Sequence, residues 1–240
     1  MKKSINQLFV VLFITTIFSS CGADMFNRVI GNKNVIVKQR TLNDNFSGIK
    51  VSSGIDLYIS QGDTKISVRA DENLHDLIIT EVNDGVLNIY VEKNIWRSKS
   101  KKVYVTLENL NLLKATSGSD VYSETIIRTK EISVSATSGA DINIEVEAQN
   151  VETRATSGSD IKIFGTAINL AASATSGSSI DAFDLESKNV IAKATSGADV
   201  DVYASEKIEA NATSGGDIDF RGNPTAVNKK SSSGGSISKK

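Results

Sequence analysis

The heptapeptide ATSGSDV at residues 115–121 sets the architecture of this chain, because it recurs along the second half of the sequence. Further copies that keep both the Ser-Gly pair and the Asp lie at residues 136–142, 155–161, 194–200 and 212–218. A copy at residues 174–180 has Ser179 in place of the Asp, and weaker copies lie at residues 51–57 and 231–237. From Gly118 onward, successive glycines of the motif are 21, 19, 19, 20, 18 and 19 residues apart. This period indicates a solenoid, in which each unit buries its apolar side against its neighbours.

Apolar and polar residues alternate on both sides of each motif glycine. Ala210 and Ala212 precede Gly215, Ile218 and Phe220 follow it, and polar residues separate the members of each pair. Such alternation indicates two half-buried strands joined at a glycine turn. The pattern therefore predicts an all-β fold, a parallel, right-handed β-helix-like solenoid with coils of about 19 residues. A sandwich or propeller of antiparallel strands is the competing architecture.

Residues 35–110 repeat less regularly than residues 111–240. Gly54 and Gly118 are 64 residues apart, which is close to three further periods, so the spacing predicts roughly ten stacked coils. Within this segment Asp84-Gly85 predicts a tight hairpin turn. Residues 74–78 are typical of one helical turn or a cap, which a terminal coil needs because an open strand edge pairs with other chains.

The first 20 residues have the features of a signal peptide. A basic start at Lys2 and Lys3 is followed by eleven uncharged, mostly apolar residues at 8–18. That run is too short to cross a bilayer as a helix, which takes about 20 residues. The chain's single cysteine, Cys21, follows two serines and precedes Gly22. Its position resembles the lipobox of bacterial lipoproteins, in which the cysteine is acylated and becomes the mature N-terminus.

These features divide the chain into three parts. Residues 1–20 are the predicted lipoprotein signal peptide, residues 21–34 a tether lipidated at Cys21, and residues 35–240 a single β-helix-like domain. The N-terminal lipid predicts attachment to a membrane, because several acyl chains anchor a protein stably. Since Gly22, rather than Asp, follows the cysteine, the resemblance implies the outer membrane, facing either the periplasm or the surface.

Composition excludes several functional classes. One cysteine cannot form an internal disulfide, and one histidine cannot build a histidine-rich metal site. The formal net charge of −1 becomes −3 once Lys2 and Lys3 are removed with the signal peptide. Because nucleic-acid binding requires a basic excess, no nucleic-acid partner is predicted.

Four segments of the mature chain occur in a characteristic order. They are FSGIKVSSGIDLYISQG at residues 46–62, ADENL at 70–74, DGVLNI at 84–89 and FRGNP at 220–224. With the serial Ser-Gly-x-Asp units between them, they resemble the bacterial "putative auto-transporter adhesin, head GIN domain" family. The resemblance implies a β-helix-like fold on an exported, often lipid-anchored, adhesin-like protein. It carries over no catalytic residue, so the protein is not predicted to be an enzyme.

The recurring aspartates are the strongest candidates for a functional site. They stack about 5 Å apart in the predicted fold, which is unfavourable unless hydrogen bonds or cations offset the repulsion. One interpretation is that each Asp accepts hydrogen bonds at the glycine turn and fixes it. The other is a Ca²⁺ site, since this cation takes six to eight oxygen ligands in irregular geometry. Its predicted ligands are Asp181, Asp199, Asp201, Asp217 and Asp219; no other cofactor is predicted.

Three further features have a functional and a structural interpretation. The threonines of the motif form an outward column that orders water or binds sugar hydroxyls, or simply favours strands. Basic residues around Trp96 contact an anionic glycan or a lipid headgroup, or form a solvated loop; they are Lys93, Arg97, Lys99, Lys101 and Lys102. His75 has no partner nucleophile nearby and is predicted at the surface.

The sequence therefore predicts a non-catalytic, adhesin-like or structural binding module of the cell envelope. Its long solenoid faces would bind a glycan or another envelope protein. The alternative is a polysaccharide-active β-helix lyase or hydrolase, which needs paired carboxylates in an aromatic-lined groove. Regular repeats without long loops predict no such cleft. The aromatic residues of the repeats are also scattered along the sequence, at Tyr122, Phe164, Phe183, Tyr203 and Phe220.

Overall fold

The computed structural model describes residues 28–42 and 44–240, and that part of the chain is almost entirely β-structure. The first strands are β1 (Val29–Ile30), β2 (Val35–Arg40), β3 (Gly48–Val51), β4 (Asp56–Gln61), β5 (Lys65–Asp71), β6 (Ile78–Asn83), β7 (Val86–Val91), β8 (Ile95–Arg97) and β9 (Lys101–Leu107). The remaining strands are β10 (Leu112–Thr116), β11 (Asp120–Ser123), β12 (Ile127–Thr137), β13 (Asp141–Thr156), β14 (Asp160–Thr175), β15 (Ser179–Thr195), β16 (Asp199–Thr213), β17 (Asp217–Arg221), β18 (Ala226–Ser232) and β19 (Ser236–Lys239). One 3-10 turn, Glu72–Leu74, lies in the described part; it overlaps the predicted segment 74–78 only at Leu74, and Ile78 begins β6.

The strands stack as parallel coils, as the repeat predicts. Asp141 pairs with Asp160, Asp160 with Ser179, Ser179 with Asp199 and Asp199 with Asp217. The spacing between paired residues equals the sequence period, so each repeat is one coil of the solenoid. The result is a β-solenoid of about seven turns, which confirms the predicted fold class over an antiparallel sandwich or propeller.

Successive coils turn at the Ser-Gly pairs. At a representative corner, φ is 57° at Ser157 and 66° at Gly158. A Cβ atom added to Gly158 would meet nothing within 4 Å, so the left-handed backbone, rather than lack of space, favours glycine here. The Gly158 N–H donates to the carbonyl oxygen of Ser176 on the next coil at 3.3 Å, and the same bond recurs from corner to corner. The corners therefore form a column of backbone hydrogen bonds.

At two corners a buried serine makes the side-chain hydrogen bonds. Ser159 Oγ lies 2.9 Å from the carbonyl oxygens of Ala136 and Thr156, and it accepts the Thr156 N–H at 3.0 Å. Ser178 repeats the arrangement one coil later. At the first of these corners Ser159 rather than Asp160 makes the side-chain hydrogen bonds, and the second corner has Ser179 in the Asp position. Ser159 is buried in the corner, whereas the Asp160 side chain is exposed.

The core lies between the walls of each coil and is built from columns of identical or similar residues. Branched side chains form one buried column, which contains Ile142, Ile161, Ile180, Val200 and Ile218. Methyl groups form another, which contains Ala115, Ala136, Ala155, Ala174, Ala194 and Ala212. Small residues beside the corner let the walls approach at the packing density of a protein interior. The predicted inward residues Ala210, Ala212, Ile218 and Phe220 are all buried.

The N-terminal end of the solenoid differs from the prediction. Strands β3 and β4 stack directly on β10 and β11, with Asp56 beside Asp120. The chain between Gln61 and Leu112 is therefore an insertion rather than three further periods, and the prediction of roughly ten coils is wrong. Within the insertion β7 and β9 add one parallel layer over β3 and β4. The predicted hairpin is confirmed, since Asp84 and Gly85 both have positive φ between the antiparallel strands β6 and β7.

Antiparallel strands end the stack and form a cap. Strand β5 pairs with β9, and β2 pairs with β5, both antiparallel. Asp71, fully buried, accepts hydrogen bonds from the backbone N–H groups of Lys33, Lys99 and Ser100 at 2.9 to 3.1 Å. The prediction of His75 at the surface is wrong, because the cap buries it completely and this burial lowers the pKa of its imidazole.

Candidate binding surface

Outward side chains at the same repeat position form columns along the solenoid, because parallel coils stack in register. The first column begins one residue before the branched core position. It contains Asp56, Asp120, Asp141, Asp160, Ser179, Asp199 and Asp217. The second column lies two residues further along each strand. It contains Tyr58, Tyr122, Asn143, Lys162, Asp181, Asp201 and Asp219.

The five aspartates predicted to bind Ca²⁺ divide between these two columns. Asp199 and Asp217 are neighbours in the first column, and Asp181, Asp201 and Asp219 follow one another in the second. Lysines pair with both ends of the acidic run in the second column. Lys162 Nζ lies 3.4 Å from Asp181, and Lys240 Nζ lies 2.9 Å from Asp219.

Asp201 is the carboxylate between those two ion pairs, and it forms no ion pair within the described residues. Burial raises the pKa of Asp201 to about 6, and the negative charges of Asp219, Asp181 and Asp199 add to the effect. Arg221 partly opposes it. The centre of the acidic run is therefore where carboxylate repulsion is least relieved.

The carboxylates of the two columns do not form a compact set of metal ligands in the described structure. Within residues 28–42 and 44–240, no group of three or more His, Cys, Asp or Glu side chains is arranged to hold a metal ion. The Ca²⁺ site at Asp181, Asp199, Asp201, Asp217 and Asp219 stays a prediction. Calorimetric titration tests it, and no heat and no change in melting temperature at millimolar Ca²⁺ would end it.

Three tyrosines that are distant in sequence stack at the N-terminal end of the second column. The ring centroids of Tyr58 and Tyr104 lie 4.9 Å apart with an interplanar angle of 17°, and those of Tyr58 and Tyr122 lie 5.5 Å apart with an angle of 26°. Lys102 Nζ donates to the Tyr58 hydroxyl at 2.8 Å. Because the rings cover one another's faces, the stack presents mainly edges and hydroxyls to a ligand.

The other aromatic residues of the repeats do not form a groove. Phe220 lies in the core, and Phe164, Phe183 and Tyr203 are half-buried. The Arg221 guanidinium lies 4.0 Å from the ring centroid of Phe183 and covers it. An aromatic-lined cleft of the kind that a polysaccharide lyase or hydrolase needs is therefore missing from the described surface.

A groove runs along the second half of successive coils, contrary to the prediction that regular repeats leave no cleft. We call it the asparagine groove. It has a volume of about 700 Å³. Its polar residues include Asn111, Glu131, Ser133, Asn150, Glu152, Asn169, Asn189 and Lys207. Its apolar residues are Ile132, Val151, Leu170, Ala171, Val190 and Ile191.

The asparagines of the groove form a hydrogen-bonded ladder. Asn169 Nδ2 donates to Asn150 Oδ1 at 2.8 Å, and Asn189 Nδ2 donates to Asn169 Oδ1 at 3.0 Å. Each amide has two N–H donors and an oxygen with two lone pairs, so the ladder leaves donor and acceptor capacity free on every step. Beside it Ala171 and Ile191 are exposed. The groove therefore offers a line of amides next to an apolar strip.

The asparagine groove was not predicted, although the sequence contains a signal for it. Asn150, Asn169 and Asn189 each precede the first buried residue of the second half of their coil. An alignment of the repeats on that buried residue would have placed them in one column. When the repeats are aligned on the Ser-Gly corner, the aspartates and threonines form the regular columns instead.

The predicted threonine column is confirmed. Paired positions along the strands connect Thr116, Thr137, Thr156, Thr175, Thr195 and Thr213. Their side chains are half-buried, and several Oγ1 atoms lie 3.3 to 3.4 Å from the Oγ of the following serine. These hydroxyls are partly used within the corner, which favours the structural interpretation of the column.

The basic residues around Trp96 have different surroundings. Arg97, Lys99 and Lys101 line a shallow pocket beside Trp96, and Lys93 lines a neighbouring one. Lys101 also donates to the Ser53 carbonyl oxygen at 3.1 Å, and burial lowers the pKa of its ammonium group. Lys102 belongs to the tyrosine stack. Arg28, which was not predicted, places its guanidinium 4.1 Å from the Trp96 ring centroid.

The predicted signal peptide at residues 1–20 and the lipidation site Cys21 lie outside the described residues, as does the first half of the tether at residues 21–34. In the described part of the chain, no helix has the length and apolarity needed to span a membrane.

Comparisons with known proteins agree with this architecture. A family model described as "Putative auto-transporter adhesin, head GIN domain" matches residues 45–224. A search of curated proteins gives no match.

Solved structures share the fold at low sequence identity. A protein described as a putative adhesin from Bacteroides fragilis is 21% identical, with a TM-score of 0.82 over 88% of this chain and 100% of that chain. A protein described as a putative lipid binding protein from Parabacteroides distasonis is 21% identical, with a TM-score of 0.73 over 89% and 99%. A putative adhesin from Parabacteroides merdae is 20% identical, with a TM-score of 0.72 over 89% and 99%. At these identities the likeness concerns the fold.

Proposed function

Because the chain belongs to the family described as "Putative auto-transporter adhesin, head GIN domain", we propose that it is an exported, lipid-anchored envelope protein that binds an extended glycan without catalysing a reaction. The asparagine groove is the observation that carries the glycan part of the proposal. The lipid part rests on the sequence around Cys21, and the outer membrane is its proposed location.

The shape of the groove suits a long ligand. Its asparagines occupy successive coils, which lie about 4.8 Å apart, so a ligand along the groove meets a chemically similar step on each coil. Binding sites of this kind combine apolar contact with a few fixed polar groups. Asn169 supplies the polar group at the centre, and Ala171 and Ile191 supply the apolar contact.

The hydrogen-bonding groups that remain unused in the groove favour a sugar ligand over an added peptide strand. Strands β13, β14 and β15 are already paired on both sides, so a polypeptide cannot join them through its backbone. Side-chain amides remain, and they act as both donors and acceptors. Sugar hydroxyls have the same dual character, and the apolar strip suits the C–H faces of a sugar ring.

A glycan array combined with turnover assays tests the proposal. We expect binding without released oligosaccharide. Asn169→Ala and Ala171→Arg should weaken this binding at least tenfold, the first by removing the central ladder amide and the second by filling the groove. Asn143→Ala is the matched control, since Asn143 is an exposed asparagine of the same strand that lies in the second column and does not line the groove.

Three results would count against the proposal. Equal losses of glycan binding in Asn169→Ala and Asn143→Ala would show that the groove is not the binding site. Release of oligosaccharide would favour the alternative, a polysaccharide lyase or hydrolase. Binding of an envelope protein, with no glycan bound, would show that the ligand is a protein rather than a glycan. The anchor is tested separately, because Cys21→Ser should release the protein from the membrane fraction of cells, and unchanged membrane association would refute lipidation.

A further inference from the structure

The cap of the solenoid carries an exposed ribbon that no part of the proposed glycan site uses. Strands β1 and β8 pair in parallel as a separate two-stranded sheet, apart from the sheet of the solenoid. The Val29 N–H donates to the Asn94 carbonyl at 2.9 Å, and the Gly31 N–H donates to the Arg97 carbonyl at 2.8 Å. These hydrogen bonds fix the backbone of β1 against that of β8.

Large apolar side chains on this ribbon face solvent. Ile30 is 60% exposed and Trp96 is 54% exposed. Together with the half-buried Ile95 they line one shallow pocket of about 680 Å³. Isolated exposed apolar residues are common in soluble proteins, but a contiguous set marks a contact surface.

Cations surround these apolar side chains. Arg28 covers one face of Trp96, the Arg97 guanidinium lies 6.0 Å from the same ring centroid, and Lys33 and Lys99 line the pocket. Within the described residues none of these four forms an ion pair. The nearby carboxylate of Asp71 is buried beneath them and accepts backbone N–H groups instead. The patch is therefore positive at its surface.

The patch is held in place by polar contacts to the cap. Asn73 accepts the Asn32 N–H through Oδ1 at 2.9 Å and donates through Nδ2 to the Ile30 carbonyl at 2.9 Å. Ser100 Oγ donates to the Arg69 carbonyl at 2.8 Å. Since the backbone is fixed on both sides of the ribbon, the apolar side chains are presented without a further ordering cost.

We propose that this patch, formed by Arg28, Ile30, Lys33, Trp96, Arg97 and Lys99, docks the cap onto an anionic lipid surface. Tryptophan favours the membrane interface, and each Lys or Arg near an anionic surface adds attraction. The proposal deepens the lipid anchoring put forward above and rests on it for the geometry. Arg28 is seven residues after Cys21, so an acylated cysteine keeps the patch within about 25 Å of the bilayer.

Intrinsic fluorescence gives a direct test, because Trp96 is the only tryptophan of the chain. The chain from Gly22 onward contains every described residue and carries no lipid. We expect vesicles of phosphatidylcholine mixed with phosphatidylglycerol to shift the Trp96 emission to shorter wavelength and to shield it from an aqueous quencher. Vesicles of phosphatidylcholine alone should have little effect, and added salt should weaken the binding because it screens the charges.

Charge reversal on the patch provides the variant and its matched control. Arg97→Glu with Lys99→Glu should weaken vesicle binding at least tenfold, since each basic residue contributes a several-fold increase. Lys229→Glu with Lys230→Glu makes the same charge change on the exposed strand β18 at the other end of the solenoid, and it should leave binding unchanged. Ile30→Ser should also weaken binding while the thermal unfolding transition stays in place.

Several outcomes would overturn the inference. They are an unchanged Trp96 emission with anionic vesicles, equal losses in the two charge-reversal variants, or a response to a soluble anionic polysaccharide but not to vesicles. These outcomes leave the anchor untouched, because Cys21→Ser fractionation measures acylation alone. Conversely, vesicle binding by the lipid-free chain would support the patch even if Cys21 proved to be unmodified.

Discussion

Replacing Asp201 with Asn should stabilise the protein at neutral and alkaline pH and have little effect in acid. Asp201 lies between Asp181 and Asp219 in the second column, and burial together with these charges raises its pKa from 3.8 to about 6. The folded state therefore holds the Asp201 proton more tightly than the unfolded state does. Below about pH 4 both states are protonated and the carboxyl group imposes no penalty.

The sign of the pH dependence follows from this shift. As the pH rises from about 4 to about 6, the folded protein must carry a charge that its surroundings disfavour, and the free energy of unfolding falls. A shift of about two pKa units sets an upper bound of about 3 kcal/mol on this loss of unfolding free energy. Because Asp201 is only partly buried, solvent screening reduces this bound, and we expect Asp201→Asn to recover about 1 kcal/mol at about pH 8.

Urea unfolding followed by circular dichroism measures the effect. The free energy of unfolding of Asp201→Asn minus that of the wild type should be near zero at about pH 4 and positive at about pH 8. Other acids titrate in both proteins and so cancel in this difference. Asp63→Asn, on an exposed loop outside the columns, is the matched control and should show no such change. An equal difference at the two pH values, or destabilisation at the higher one, would refute the reasoning.

Three further substitutions test how the fold is held together, each by the free energy of unfolding. Gly158→Ala places a Cβ on a left-handed residue with φ of 66° and should cost about 1 kcal/mol; no loss would mean that the corner relaxes. Thr153→Val replaces a buried hydroxyl that has no hydrogen-bond partner and should stabilise by about 1 kcal/mol, whereas Thr166→Val on the exposed face should be neutral. Asp71→Ala leaves three partly buried backbone N–H groups without the carboxylate and should destabilise by about 2 kcal/mol, and a near-neutral result would show that water replaces the carboxylate.

The regular half of the solenoid follows from the local pattern. Alternation around each Ser-Gly pair assigned the strands, and the constant period assigned their stacking, so residues such as Ala212 and Ile218 were correctly placed in the core. The threonine column followed for the same reason. Where every coil repeats the same sequence, each contact is with the neighbouring repeat, and the register is already present in the chain.

The candidate sites were predicted less completely. Tyr58 and Tyr122 occupy the same repeat position, but Tyr104 joins them only because the insertion folds back and lays β9 on β4. The basic cluster near Trp96 was predicted, whereas the contacts of Lys101 with Ser53, of Lys102 with Tyr58 and of Arg28 with Trp96 were not. These contacts join residues far apart in sequence, and no repeat connects them.

The parallel solenoid, its Ser-Gly corners and its outward columns follow from the repeat alone, because a coil of constant length forces like residues to stack. The coil count, the antiparallel cap, the burial of His75 and Asp71, and the groove and patch surfaces depend on the three-dimensional fold, because the insertion after Gln61 repeats no other part of the chain. Its strands pair in both directions, and their partners are set by which apolar faces and buried polar groups can be satisfied together in three dimensions.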